Sequence, residues 1–287
     1  MSLGYKMAVV GLARNASKTI QIEVKRFQKI LSPICDELSF FIVESDSSDS
    51  TPSILDEIKA EMANFDFRCL GNLDLEFPNR IDRLRFCRNV YVDHLRQFEK
   101  KPNFVFVVDF DIRNRRLKKF MIDQALGLQD SWDALFANQS GRYYDIFALR
   151  HPEWSPGDCF QELNEMRQEG VSRAKEIAVW SKMRKIPRHN PLIPVDSAFG
   201  GLGIYRGEVF TSFDYGRIGE SDESEHVQLN QELSRNSYHL FIAPFLMNFS
   251  WNSQNLSSFR IIRMFDTFTK KFFIFRPLRR CFRFFIS

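Results

Sequence analysis

Two aspartates, Asp109 and Asp111, end the stretch NFVFVVDFDIRN directly after five apolar residues, Phe104 to Val108. In extended chain the side chains alternate, so both carboxylates lie on one face. Two like charges at that spacing repel unless they share a proton or a divalent ion. Carboxylate oxygens suit Mg²⁺ or Mn²⁺, which combine a few such ligands with the phosphate oxygens of a substrate. The chemistry on offer is therefore metal-assisted handling of a phosphorylated compound. A solvated acidic turn at a strand end is the alternative.

The elements before the motif form a regular series. YKMAVVGLARN reads as a strand, and KTIQIEVKRFQKIL as a helix with apolar residues at Ile20, Val24, Phe27, Ile30 and Leu31. LSFFIVESD is a second strand. Thr51 caps a second helix with Pro52 in its first turn, FRCL is a short strand, and a long helix runs from about Asn79 to Glu99. This alternation predicts an α/β fold, a mixed, mostly parallel Rossmann-type sheet flanked by helices. Ligands in such sheets bind at the carboxyl ends of the strands. Further on, YYDIFALRH predicts a strand, Glu162 to Met183 a helix, SEHVQLNQELSR a helix and YHLFIAPFLM a strand, while DSAFGGLGIYR is punctuated by glycine.

The helix before the motif holds a charge on its apolar side. Ile81, Leu84, Cys87, Tyr91, Leu95 and Phe98 form one stripe at 100° per residue, and Arg88 falls inside it. A guanidinium there needs an anionic partner. Either a core acid pairs with it, or it points at a diphosphate or at the metal carboxylates. Arg80 opens the same helix. The first two strand ends, AVVGLARNAS with Arg14 and Asn15 and FFIVESDSSDSTPSIL with Glu44, Asp46 and Ser47, resemble those that receive the nucleoside in GT-A glycosyltransferases, which implies acceptors there for ribose hydroxyls and a base; an ordinary Ser/Asp-rich turn is the alternative.

A D-x-D after an apolar strand resembles two enzyme classes. In phosphatases similar to the haloacid dehalogenases, a Thr or Val normally stands two residues after the second Asp, where this chain has Arg113, and the motif opens the domain. In nucleotide-sugar glycosyltransferases of GT-A fold the motif follows a βαβαβ half, as here. In order, ARN, ESDSSDST, NRIDRLRFCRN, FVFVVDFDI, YYDIFALRHPEW, DSAFGGLGIYR and SEHVQLN resemble the cryptococcal capsule α-1,3-mannosyltransferases and their bacterial relatives, from about Lys6 to Asn248. That resemblance implies sugar transfer from a nucleotide sugar to a glycan or lipid-linked glycan, with Asp109 and Asp111 holding Mn²⁺ or Mg²⁺ and the diphosphate. It implies that Asp196 to Gly201, including Gly200, wall the donor sugar and the acceptor. Glu225 and Asp196 are its catalytic candidates, with His226 next to Glu225. A late third metal ligand falls on His239, and Asn248 holds a similar position.

Composition bounds the rest. The 287 residues carry a net charge of +4, but eight Arg or Lys and a single acid lie after Asn255, so this tail carries +7 and the remainder about −3. A slightly acidic body excludes a basic nucleic-acid-binding domain. The expected division is 1–254 for the α/β unit and 255–287 for the tail. In the tail Ile261, Phe265, Phe268, Phe272 and Phe275 recur at helical spacing among the basic residues. Such a basic amphipathic helix suits an anionic membrane surface or a second copy of the chain. Five scattered cysteines without a CxxC pair suggest a reducing compartment. The expected location is cytoplasmic, peripheral on the inner face of the membrane.

Overall fold

The computed structural model describes residues 4–111 and 114–248. The first half alternates strands and helices: β1 (Lys6–Ala13), α1 (Ile20–Leu31), β2 (Glu37–Glu44), α2 (Thr51–Glu61), β3 (Phe65–Cys69), α3 (Arg80–Arg96) and β4 (Phe104–Asp109). The second half comprises α4 (Lys119–Gly127), β5 (Ala134–Gln139), α5 (Cys159–Gln168), α6 (Ala174–Ala178), β6 (Ile193–Pro194), β7 (Leu202–Arg206), α7 (Gly207–Thr211), α8 (Glu225–Arg235) and β8 (Leu240–Asn248). The strands form one sheet in the order β3-β2-β1-β4-β7-β5-β8-β6. β7 pairs antiparallel with β4 and β5, and β6 antiparallel with β8; the other pairs are parallel.

Alternation along the strands divides the core between the two faces of the sheet. Phe104, Phe106 and Val108 join Phe27, Leu55 and Ile122, from α1, α2 and α4, in one cluster. Val105 and Val107 join Tyr91, Leu95 and Leu229, from α3 and α8, in the other. By the same parity Asp109 points to the α3 side. β2 lies on one side of β1 and β4 on the other, and Leu12 pairs with Asp109 where the two ends meet. The strand order reverses there, β2 and β3 lying to one side of β1 and β4 to the other, which makes it the sheet's switch point.

Three sequence expectations fail, two of them in the middle of the chain. Tyr143 to His151 is irregular rather than a strand, although Tyr143, Ile146, Ala148 and Leu149 are buried. Local bonds replace a ladder there, Ile146 donating to the Tyr144 carbonyl and Leu149 to that of Ile146. The neighbouring strand is β5, whose sequence ALFANQ ends in two amides. The helix expected over 162–183 breaks at Gly170, where φ is +71°. The Val171 N–H reaches back to the Met166 carbonyl at 2.8 Å and that of Gly170 to Arg167 at 3.2 Å, the hydrogen-bond pair of a Schellman stop. Thr51 is the first helical residue of α2 rather than its cap, and its hydroxyl lies 2.5 Å from Asp49 Oδ1. The expected tail helix, at 255–287, lies outside the described residues, as does Arg113. Among the described residues no helix is long and apolar enough to cross a membrane.

Candidate active site

The cleft opens at the carboxyl ends of β1 and β4 and encloses about 320 Å³. Asp109, Asp111, Arg14, Asp46, Arg80, Arg83, Arg88, Asp145, Phe199, Glu225 and His226 are among its lining residues. A larger cavity of about 510 Å³ sits among the amino ends of the strands, lined by Lys6, Asp36, Glu37 and Lys100. Lys6 and Glu37 already pair there. The D-x-D carboxylates meet only the first cleft.

Asp109 is held from behind by the sheet: its N–H donates to the Gly201 carbonyl at 3.1 Å, where β7 comes alongside. Burial first, then the charge of Asp111, raises its carboxyl to about 8, partly offset by Arg88. That mutual strain between carboxylates is what a divalent cation relieves. Two carboxylates with room for phosphate oxygens fit Mg²⁺ or Mn²⁺, which keep several positions for water or substrate. Among the described residues no group of three His, Cys, Asp or Glu side chains surrounds a common point. Asp109 and Asp111 are the cleft carboxylates that could hold such an ion.

Arg88 is buried and joins two acids. Its Nε donates to Glu225 Oε1 at 2.8 Å and Nη1 to the Tyr91 hydroxyl at 3.0 Å, while Nη2 stands 3.8 Å from Asp109 Oδ1. The α3 face that positions it differs from the apolar stripe in its first turns, where Asp82 and Arg85 are buried as an ion pair and Ile81 and Leu84 are not. Both sequence readings of Arg88 meet here, since it pairs with a core acid and also faces a D-x-D carboxylate.

The acidic segment before α8 is fastened by arginines rather than left in solvent. Arg85 Nη2 donates to the Glu223 carbonyl at 3.2 Å, and Arg150 Nη2 to Glu223 Oε1 and Asp158 Oδ2, each at 2.9 Å. Asn79 caps α3 by accepting from the Ile81 N–H and donates to Asp222 at 2.7 Å. These ties set Glu225 and His226, the first two residues of α8, against the cleft.

Sequence-derived candidates are thus divided by the fold. Arg14, Asp46, Arg80, Arg88, Asp109, Asp111 and Glu225 come together. Asn15, Glu44 and Ser47 instead knit two loops: Ser47 Oγ accepts from the Asn15 N–H, Asn15 Oδ1 from the Ser48 N–H, and Glu44 takes bonds from Ser47 and Cys69. Gly200 and Gly201 lie beneath the floor, Gly200 donating its N–H to Asp145 Oδ2 at 2.9 Å. A Cβ on Gly200 would come within 2.4 Å of the Ala137 carbonyl oxygen.

Two candidates fall elsewhere. Asp196 does not line the cleft; it accepts from the Ser234 hydroxyl at 2.8 Å and its own N–H bonds to Arg150. His239 precedes β8, which runs parallel to β5, and its backbone is tied to Asp133 at the start of that strand. It therefore sits at the amino ends of the parallel strands, across the sheet from Asp109, and cannot share a metal with it. Asn248 is at the carboxyl end of β8, donating to the Gly200 carbonyl at 2.8 Å. Sequence reading missed Asp145, which lines the cleft from an irregular segment taken for a strand. Burial raises its carboxyl, against the Gly200 and Ala148 N–H groups that stabilise the charged form. No local signal marks it.

No family model and no curated protein matches the sequence. Among solved structures, a mannosyltransferase from Pyrobaculum calidifontis, PcManGT, in complex with GDP-Man and Mn²⁺, aligns over 86% of this chain at a TM-score of 0.52 and 12% identity. The chain has the GT-A fold. It spans 57% of the length of that mannosyltransferase. Lower-scoring alignments include S. aureus TarS 1-349 in complex with UDP-GlcNAc (TM-score 0.47, 16% identity, 88% of this chain and 61% of that one). Another is M. tuberculosis glucosyl-3-phosphoglycerate synthase in complex with Mn²⁺, UDP and phosphoglyceric acid (0.43, 13%, 86% and 68%). At these identities the likeness is one of fold.

Proposed function

We propose that the chain is a metal-dependent glycosyltransferase that moves a hexose from a nucleotide sugar to a glycan or lipid-linked glycan. The observation that carries this reading is the position of Asp109 and Asp111, side by side at the switch point of a GT-A sheet and facing a cleft rimmed by arginines. The likeness of the motif order to the capsule mannosyltransferases supports a hexose donor. The GT-A fold and the place of the motif after a βαβαβ half favour this reading over the phosphohydrolase alternative.

Asp109 and Asp111 would hold Mn²⁺ or Mg²⁺, which when bound neutralises charge on the leaving diphosphate. Arg14, Arg80 and Arg83 edge the same space and supply donors for phosphate oxygens. Leu12, Ala13, Ser45 and Asp46 line the end nearest β1 and β2, where a nucleoside fits. Glu225 has one oxygen engaged by Arg88, so it acts in this reading as a fixed carboxylate that orients a hydroxyl. Asp145 is the second carboxylate within reach of bound sugar. The basic, Phe-rich tail is proposed as a contact to an anionic membrane surface or a second copy, either of which would bring the enzyme to a lipid-linked acceptor.

The test is thermal stability of wild type, Asp111→Asn and His239→Ala with UDP, GDP, ADP and CMP, each with and without Mn²⁺. One nucleotide should raise the melting temperature of wild type and His239→Ala only when Mn²⁺ is present, and should fail to do so for Asp111→Asn. No response to any nucleotide would end the glycosyltransferase reading.

A further inference from the structure

His226 is only 2% exposed and lines the cleft, yet neither of its ring nitrogens has a hydrogen-bond partner among the described residues. Its flat faces, by contrast, are well held. The ring stacks on Phe199 with centroids 3.7 Å apart and meets the edge of Tyr215 at 5.6 Å. Glu225 Oε1 lies 3.7 Å from Nε2, too far for a hydrogen bond. A phenylalanine would serve this aromatic stack as well, without leaving buried nitrogens unmatched. Unmet buried polar groups are costly, and those retained in a cleft point to a ligand.

The chemistry of that ligand follows from the ring's surroundings. Burial first, and Arg88 second, hold the imidazole far below its ordinary pKa, so it is neutral. A neutral imidazole offers one N–H donor and one lone pair, a match for an alcohol rather than for a phosphate. The guanidinium of Arg88 disfavours a cation at the ring. Arg88 also measures the distance from the diphosphate end: it packs over the same Phe199 ring, its Cζ 5.5 Å from the centroid, and stands 3.8 Å from Asp109. One guanidinium beyond the D-x-D carboxylates is where the sugar attached to a diphosphate would lie.

We propose that His226 reads a hydroxyl of the transferred sugar. This rests on the nucleotide-sugar reading above and assigns the sugar-recognising residue within it. The sugar hydroxyl donates to the unprotonated ring nitrogen, or accepts from the protonated one, while Phe199 and Tyr215 keep the ring in place. His226 takes no part in metal or diphosphate binding.

The experiment compares wild type, His226→Phe and His226→Gln as full chains with Mn²⁺, titrated with GDP and GDP-mannose and with UDP, UDP-glucose and UDP-N-acetylglucosamine. Wild type identifies the base that binds; if no nucleotide binds wild type, the parent reading fails and this one with it. With a binding nucleotide, His226→Phe is expected to keep the nucleoside diphosphate affinity within about twofold and to weaken its nucleotide sugar by roughly 5- to 20-fold, the loss of one hydrogen bond inside a buried site. His226→Gln, which still donates and accepts, should recover most of that loss. The metal-free melting temperature of His226→Phe should equal or exceed that of wild type. Equal loss for nucleotide and nucleotide sugar together with a lower melting temperature would make His226 a packing residue, and unchanged sugar affinity in His226→Phe would also overturn the proposal.

Discussion

Replacing Arg88 with Met tests the electrostatic frame of the cleft. The substitution keeps much of the side-chain volume and removes the charge, leaving Glu225, itself 4% exposed, without its 2.8 Å partner. Removing one member of a buried pair costs about 3–5 kcal/mol, because the other charge stays desolvated. Asp109, at 3.8 Å and beyond hydrogen-bond distance, adds little to that cost. For a folded unit of this size each kcal/mol shifts the midpoint by roughly 2–4 °C, so Arg88→Met should melt about 6–20 °C below wild type. Denaturant unfolding of Arg88→Met, Glu225→Met and the double variant isolates the pair, and the double should be more stable than the sum of the two single losses allows. Losses that add to within about 0.5 kcal/mol would refute the idea that Glu225 depends on Arg88.

Two further outcomes follow from the site. Because Asp109 is raised to about 8 from an ordinary value of 3.8, chiefly by burial and by Asp111, its contribution to the stability of the metal-free protein is complete below that ordinary value and disappears as the pH rises through about 8. Metal binding requires the carboxylate, so Mn²⁺ affinity measured by calorimetry should climb by up to about tenfold per pH unit from pH 6 to about 8; equal affinities at pH 6 and 8.5 would contradict this. Gly200→Ala, at φ +71° with its Cβ forced within 2.4 Å of the Ala137 carbonyl, should lose about 2 kcal/mol or more in urea unfolding and loosen the Asp145 contact; a loss below about 0.5 kcal/mol would show that the floor can yield.

Local pattern determined the framework of this protein. Apolar runs without alternation, such as Phe104 to Val108, read as strands buried on both faces, and their alternation with helical stripes indicates a parallel sheet whose carboxyl ends carry the ligand site. That logic located Asp109, Asp111 and the anomalous Arg88 before any contact was known. It failed where burial and backbone geometry part company. Tyr143 to His151 is as apolar as a strand, but its backbone is satisfied by local bonds and by scattered long-range ones to Arg184 and Ser197 rather than by a ladder, and nothing in the residue types distinguishes the two solutions. Tertiary structure alone decided which late residues reach the cleft. His239 and Asn248 stand at opposite ends of the segment that forms β8, a strand of nine residues that separates them by the depth of the sheet. Glu225 and His226 meet Asp109 because α8 and the segment before it are tied to α3 and to Arg150 by contacts spanning 73 to 138 positions of sequence, and Asp145 joins them through the Gly200 N–H, 55 positions away. Sequence spacing encodes neighbours along one element; which elements face each other is settled by how their buried faces and buried charges fit.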